Sequence, residues 1–245
     1  LPGGPMNIPI LRLAIRSLFG RARAILLFAI PLLLVALAVL LRATAGDAGT
    51  NPEDAPLVLV RTFGIGIVVP VVALIATTTL INSEFDDGSI IYLLTKPVSR
   101  LSIVASKALV VLVCTLVFAA LPMTLAALLM IGTDADLWLG ALLGGIVSSV
   151  AYAGIFTTLA TLLNRSLVGC LIYWLVWEST LTSFISPAAW LSARAWGSSV
   201  LHAVADVGQK AHPPVWFALV AAALCLVGGV VVAGRKLSHT TISDV

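Results

Sequence analysis

The sequence predicts an all-α membrane protein with six transmembrane helices and almost no soluble domain. Of its 245 residues, 60% are hydrophobic and only 10% are charged, whereas a soluble domain carries about 25% charged residues. The apolar residues gather in long uncharged runs. A helix needs about 20 such residues to cross the hydrocarbon core of a bilayer. Lipid is therefore the expected solvent for most of the molecular surface.

The uncharged runs give the order of the transmembrane domain, which we predict for residues 24–234. An interfacial helix at residues 6–23 precedes this domain, and a cytoplasmic tail at residues 235–245 follows it. The first run is the shortest, and the fifth continues past a single acidic residue, Glu178. The six predicted spans are residues 24–41, 62–83, 108–133, 137–164, 166–186 and 213–234.

The lysines and arginines predict the orientation of the chain. If the N-terminus is cytoplasmic, ten of the 14 basic residues flank the cytoplasmic ends of the spans and four flank the outer ends. This asymmetry favours both termini in the cytoplasm. The basic residues stand singly at the ends of apolar runs and form no basic stripe. The net charge of +3 therefore does not indicate a nucleic-acid partner.

The segment ahead of the first span has an amphipathic pattern. Ile8, Leu11 and Ile15 fall on one helical face, and Arg12 and Arg16 lie beside it. This pattern predicts a helix that lies in the cytoplasmic membrane interface. A simple positively charged anchor explains the same residues equally well.

The stretch between the fifth and sixth spans, residues 187–214, is semi-polar and includes Trp190 and Trp196. Tryptophan is enriched where the bilayer meets water. We therefore predict interfacial or re-entrant helices on the external side. An ordinary external loop with a surface helix is the alternative.

The cytoplasmic loop between the second and third spans predicts a short helix. Gly88 permits a turn after the second span, and Asp86 and Asp87 suit the N-terminus of a following helix. Pro97 disfavours helix at the residue before it and so ends the element. A short apolar helix at this membrane face can rest on lipid or dock into a partner, and periodicity alone does not choose between them.

This loop strongly resembles the signature of type-2 ATP-binding-cassette (ABC-2) permeases. Their pattern is a glutamate, a glycine followed by threonine or serine, a pair of leucines, a proline, a small polar residue and an arginine. The matching residues here are Glu84, Gly88, Ser89, Leu93, Leu94, Pro97, Ser99 and Arg100. Ser89 stands where the family often has threonine. The six-span layout and the amphipathic N-terminal segment resemble the family as well.

The resemblance implies a transmembrane permease subunit of an exporter in the bacterial plasma (inner) membrane. Two permease chains, expected as a homodimer, would assemble with two copies of an ATPase subunit that binds ATP and Mg. An accessory periplasmic or extracellular protein is a further possible partner. The loop helix would be the coupling helix that docks in the ATPase. The implied coupling residues are Glu84, Phe85, Asp86, Asp87, Gly88, Ser89, Tyr92, Leu93, Leu94, Pro97 and Arg100.

The sequence predicts neither a catalytic site nor a bound cofactor or metal in this chain. The nearest match to a phosphate-binding loop starts at Gly229 and lacks the lysine and the serine or threonine after its last glycine. The three histidines show no metal-ligand spacing, and the three cysteines lie in apolar runs. A membrane anchor or signalling scaffold without transport is the alternative function.

Polar residues inside the predicted spans are candidates for a translocation path or gate. Glu178 would lie about 16 Å into the fifth span, where an ionisable group usually faces a partner or a cavity. If that span ends early, Glu178 caps the external helices instead. Thr77, Thr78 and Asn82 add a polar face to the inner half of the second span, although threonines also bond back to their own helix. Gly140 in the fourth span is followed four residues later by another glycine, a spacing that predicts close helix packing.

Overall fold

The computed structural model of the chain describes residues 21–44, 54–86, 100–132, 136–163, 165–182, 186–206 and 213–239. These residues are almost entirely helical and contain no strand, which confirms the all-α prediction for this part of the chain. The predicted interfacial helix, with Arg12 and Arg16, lies outside the described residues, except that residues 21–23 belong to the first described helix.

Within those ranges we number seven α-helices in chain order. α1 is Arg21–Thr44; α2 runs through Asp54–Val58, Leu59–Val68 and Val69–Asp86; α3 through Arg100–Thr115, Leu116–Ala120 and Leu121–Ile131; α4 is Leu137–Leu162; α5 runs through Ser166–Ile172 and Tyr173–Leu181; α6 is Ala193–Val204; α7 is Val215–His239. A short 3₁₀ helix, Ser186–Leu191, precedes α6. The middle parts of α2 and α3 and the second part of α5 are π-helical.

Five of these helices are long and apolar enough to cross a membrane, so the described chain is multi-pass. They are Ile25–Thr44, Ala55–Leu80, Leu101–Ile131, Leu137–Leu162 and Val215–Lys236. The fifth predicted span corresponds to α5, whose two parts have 7 and 9 residues. At about 1.5 Å per residue this helix covers about 24 Å, less than the ~30 Å hydrocarbon core. Of the six predicted spans, five therefore correspond to helices of spanning length and one, α5, to a shorter helix.

Proline explains where two of the wide turns occur. The π-helical stretches Leu59–Val68 and Leu116–Ala120 each end two residues before a proline, Pro70 and Pro122. Proline has no N–H, so the carbonyl four residues earlier loses its usual α-helical donor. In α2 that carbonyl belongs to Gly66, and it accepts a hydrogen bond from Trp174 Nε1 at 3.0 Å. The carbonyl that proline leaves without a helical donor thus accepts a hydrogen bond that joins α2 to α5.

α4 is the centre of the bundle and contacts α2, α3, α6 and α7. Its small residues allow neighbouring backbones to approach closely. A Cβ on Gly229 of α7 would stand 2.5 Å from the Gly154 carbonyl oxygen and 2.6 Å from Thr158 Oγ1. The large side chains of Tyr152 and Phe156 fill the remaining space and are fully buried. Small residues at helix contacts are the usual basis of packing in membranes, where lipid removes most of the hydrophobic driving force between helices.

α1 and α7 lie at the edge of the bundle and expose large apolar side chains. Leu32 and Leu33 of α1 are 71% and 69% exposed, and Trp216 and Leu224 of α7 are each 66% exposed. Exposed apolar faces of this size on helices of spanning length fit contact with lipid tails.

Candidate functional site

The polar centre of the molecule forms where α6 packs along α4. Ser148 Oγ donates to the Ala193 carbonyl at 3.4 Å. One turn further on, a Cβ on Gly144 would stand 2.6 Å from the Gly197 carbonyl oxygen. Another turn on, a Cβ on Gly140 would stand 2.9 Å from the Leu201 carbonyl oxygen. The packing role predicted for the two glycines is thus confirmed, and α6 runs antiparallel to α4.

These contacts fix the depth at which α6 begins. We call the end of the bundle where α4 starts the distal end, and the end where α3 starts the proximal end. Ser148 is the twelfth residue of α4, so Ala193 lies about 16 Å from the distal end of that helix. α4 has 26 residues and is about 39 Å long, which exceeds the hydrocarbon core by about 9 Å. If α4 is centred in a hydrocarbon core of ~30 Å, the N-terminus of α6 lies about 12 Å inside its boundary.

The carboxylate of Glu178 occupies this buried N-terminus. Glu178 is 1% exposed. One oxygen accepts from Tyr173 Oη at 2.9 Å and from the Ala193 backbone N–H at 2.8 Å. The other accepts from Ser192 Oγ at 2.5 Å and from the Arg194 backbone N–H at 3.4 Å. Four donors thus meet two oxygens, which fits an ionised carboxylate because that form only accepts.

This arrangement satisfies the start of α6 in a place that water reaches poorly. The first turn of any helix has backbone N–H groups without helical partners, and an unpaired N–H in hydrocarbon costs several kcal/mol. Glu178 takes two of these N–H groups, and Ser192 Oγ accepts a third from Ala195 at 3.0 Å. A negative charge also complements the positive end of the helix dipole. Glu178 therefore holds α6 to α5 at this depth.

Two tyrosines surround the carboxylate. Tyr173 donates to Glu178, and its ring meets Phe156 edge-on with centroids 6.2 Å apart. Tyr152 lies close enough to Glu178 for an electrostatic interaction. Its hydroxyl is buried and has no hydrogen-bond partner among the described residues. The polar cluster thus extends from α6 to the middle of α4.

The threonines predicted for a path do not join this cluster through hydrogen bonds. Thr78 Oγ1 donates to the Leu74 carbonyl of its own helix at 2.8 Å. Thr77 is fully buried, and its hydroxyl has no partner among the described residues. Of Asn82 the structure describes only the helical backbone. A translocation role for the three residues stays a prediction.

Sequence reasoning did not single out Tyr173 and Ser192, which complete the Glu178 site. Ser192 had a local signal, because serine directly before a helix is a preferred N-cap. Tyr173 lies five residues before Glu178 in a π-helical stretch. Residues five apart stack in such a helix, whereas the α-helical spacing assumed for the sequence places them on different faces.

No group of three His, Cys, Asp or Glu side chains comes together as a metal site in the described part of the chain.

The family comparison covers most of the helices described above. The family described as ABC-2 family transporter protein matches residues 21–204, from the start of α1 to the end of α6. The chain belongs to the ABC-2 transporter family. As a member it is a membrane component of an ATP-binding-cassette transporter, and the family implies an ATPase partner and a lipid bilayer around it. No curated protein matches the chain significantly.

The signature loop of this ABC-2 protein joins the proximal ends of α2 and α3. Glu84, Phe85 and Asp86 belong to the last turn of α2, of which only the backbone is described there, and α3 begins at Arg100. The other predicted coupling residues lie outside the described residues. These are Asp87, Gly88, Ser89, Tyr92, Leu93, Leu94 and Pro97. Their role in coupling stays a prediction.

Proposed function

We propose that the chain is the transmembrane permease subunit of an ABC exporter in the bacterial plasma membrane. The observation that carries the proposal is the family match over residues 21–204, which includes the signature loop. In this proposal two permease chains form a homodimer and two separate ATPase chains bind ATP and Mg. Both termini of the permease are cytoplasmic, so the proximal end of the bundle faces the ATPase.

Residues 84–100 are proposed to transmit motion from the ATPase to the membrane helices. This segment continues directly into α2 at one end and into α3 at the other. Its apolar side chains Tyr92, Leu93 and Leu94 dominate the affinity for the ATPase, because exposed charge pairs contribute only about 0–1 kcal/mol each. The acidic residues at its start set the register of docking.

The packing of α2 supports such a route to the distal half of the molecule. Gly66 of α2 accepts the hydrogen bond from Trp174 of α5, and the guanidinium of Arg194 lies over the same glycine. A shift of α2 would therefore displace α5 and the start of α6. Glu178 joins α5 to α6 there. Glu178, Thr77, Thr78 and Asn82 are the residues we propose for the path or gate.

Co-purification of an ATPase tests the assignment to a transporter. We expect an ATPase chain encoded beside the permease to co-purify with the wild-type protein and with Ser89→Thr, which introduces the residue that the family often has. The double variant Tyr92→Ala/Leu93→Ala should lose the ATPase, because it removes apolar contact area from the docking helix. A permease that purifies without any ATPase would instead support the alternative, a membrane anchor or signalling scaffold.

Cysteine labelling tests the orientation. Single cysteines are introduced at Ala48, Ser89, Asp134 and Ser238 in a variant without the three native cysteines. A membrane-impermeant thiol reagent added to intact cells should label positions 48 and 134 only, since the basic residues favour the other two positions in the cytoplasm. Labelling at position 89 or 238 in intact cells would contradict cytoplasmic termini and a cytoplasmic docking loop.

A further inference from the structure

Three basic side chains gather between α2 and α6 near the distal end of the bundle. Arg61 of α2 and Arg194 of α6 lie close enough for their charges to repel each other. His202, near the end of α6, lies within electrostatic range of Arg61. These three residues, which we call the basic cluster, are separate from the docking loop and contact the candidate path residue Glu178 through the Arg194 backbone N–H.

Both arginines lie along the π-helical stretch of α2. Arg194 Nε and Cζ would stand 3.2 and 3.3 Å from a Cβ on Gly66, so the guanidinium lies directly over that glycine. Arg61 precedes Gly66 by five residues inside the π-helical stretch. The hydrogen bonds of a π-helix join residues five apart, so the Arg194 guanidinium lies about one turn of α2 from Arg61.

Within the described ranges the positive charges of the cluster have no negative partner. Neither guanidinium makes a hydrogen bond or an ion pair there, and Glu178 binds the backbone N–H of Arg194 instead of its side chain. The Nε2 atom of His202, itself only 7% exposed, is buried without a hydrogen-bond partner in the same part of the chain. Buried polar groups normally have partners, so His202 Nε2 is left unsatisfied among the described residues.

Arg61 and His202 lie near the distal end of α4, and the Arg194 guanidinium lies about one turn deeper, beside Gly66. Ile65 of α2 lies beside Gly144 of α4, since its Cδ1 atom would be 3.4 Å from a Cβ built on that glycine. Arg61 is one turn nearer the distal end than Ile65 and is therefore at about the level of Gly140. His202 follows Leu201, whose carbonyl meets Gly140. Gly140 is the fourth residue of α4, about 4–5 Å from its end and so close to the boundary of the hydrocarbon core.

We propose that the basic cluster binds a phosphate-type oxyanion between α2 and α6. Guanidinium groups bind such oxygens with two parallel hydrogen bonds each, and Arg61, which is exposed, and Arg194, which is half-buried, can do so together. The anion replaces the mutual repulsion of the arginines with two attractive contacts and ties α2 to α6. The headgroup phosphate of an anionic phospholipid and a free phosphate both have this chemistry. The site goes beyond the transport proposal and can be tested without transport.

The test measures binding to the purified full-length protein in a neutral detergent. The probes are dioctanoyl phosphatidylglycerol, dioctanoyl phosphatidylcholine and inorganic phosphate, with the shift in unfolding temperature and native mass spectrometry as readouts. We expect the wild type to bind an anionic probe in preference to phosphatidylcholine. Arg61→Gln and Arg194→Gln should each weaken that binding about tenfold or more, because each removes a charge-assisted pair of hydrogen bonds. The matched control is Arg165→Gln, the same change at an exposed arginine of the proximal end, and it should leave binding unchanged.

The outcomes separate the two sources of the phosphate. Binding of phosphatidylglycerol alone identifies a lipid site, and saturable binding of inorganic phosphate identifies a site for a free anion. Without any anion, Arg61→Gln and Arg194→Gln should keep or raise the unfolding temperature, because each removes one of two repelling charges. Equal binding of the two lipids, or wild-type anion binding in both cluster variants, would overturn the proposal. The proposal would also be overturned if Arg61→Gln and Arg194→Gln lowered the unfolding temperature without anion and left anion binding unchanged.

Discussion

Glu178→Leu should destabilise the protein by about 3–5 kcal/mol, because it removes the acceptor of four hydrogen bonds from a buried site. The hydroxyls of Tyr173 and Ser192 can turn toward other acceptors. The backbone N–H groups of Ala193 and Arg194 cannot, because the start of α6 fixes their direction. Each of these two donors, left unpaired, costs about 1–3 kcal/mol.

Glu178→Gln is the matched variant of the same size. One amide oxygen can keep the Ala193 and Tyr173 bonds, and the amide nitrogen can donate to Ser192 Oγ. The Arg194 N–H, whose bond is weak at 3.4 Å, and the Ser192 hydroxyl then lose their acceptor, and the hydroxyl can turn toward another one. We expect a loss of about 1–2 kcal/mol. Reversible unfolding in mixed detergent micelles measures both values, with Leu175→Ala, on the exposed side of α5, as the control.

The order of the two variants tests the capping role. If Glu178→Leu and Glu178→Gln cost the same small amount as Leu175→Ala, Glu178 does not hold α6 in place. The same proteins address the proposed path or gate. A Glu178→Gln complex that assembles normally but transports poorly would support a path role, and normal transport would limit Glu178 to positioning α6.

Gly144→Leu should also destabilise the protein by about 3 kcal/mol or more, because it inserts a side chain where two helix backbones touch. A Cβ at this position would already stand 2.6 Å from the Gly197 carbonyl oxygen and 3.3 Å from Leu201 Cβ. Backbone atoms cannot rotate aside, so α6 must move away from α4. Leu143→Ala changes the neighbouring exposed residue and should have little effect.

The effects of Gly144→Leu and Glu178→Leu should not add. Both substitutions release the same element, α6, from its two anchors on α4 and α5, and changes that share a structural element are coupled. The double variant should therefore cost less than the sum of the two single variants. Full additivity in the same unfolding measurement would show that the two contacts act on independent parts of the structure.

The sequence predicted the elements that depend on local composition. Runs such as 137–164 and 213–234 lie close to the observed α4 and α7, because length and hydrophobicity alone define a spanning helix. Helix α3 begins at Arg100, eight residues before the predicted start at 108. Hydropathy marks the lipid-crossing part of a helix and not its extension into the interface.

The features that the sequence left open depend on contacts between distant residues. Pro70 disturbs regular helix in α2, but the wide turn before it and the bond from Trp174 to Gly66 depend on the packed neighbour. Hydropathy could not decide whether Glu178 lay in a path or capped a helix, since both readings place a polar residue near the end of an apolar run. Arg61 and Arg194 are far apart in the chain, and nothing local indicated that they meet.

ATP turnover by the assembled complex measures directly whether this chain is a permease coupled to a separate ATPase through residues 84–100. The permease and the co-purified ATPase are reconstituted in proteoliposomes with wild-type, Ser89→Thr or Gly88→Val permease. Valine tolerates positive φ poorly, so it should disturb the turn predicted at Gly88, whereas Ser89→Thr should act like the wild type. We expect Gly88→Val to lower ATP turnover to the level of the ATPase alone. Wild-type turnover and wild-type ATPase binding with Gly88→Val would contradict it.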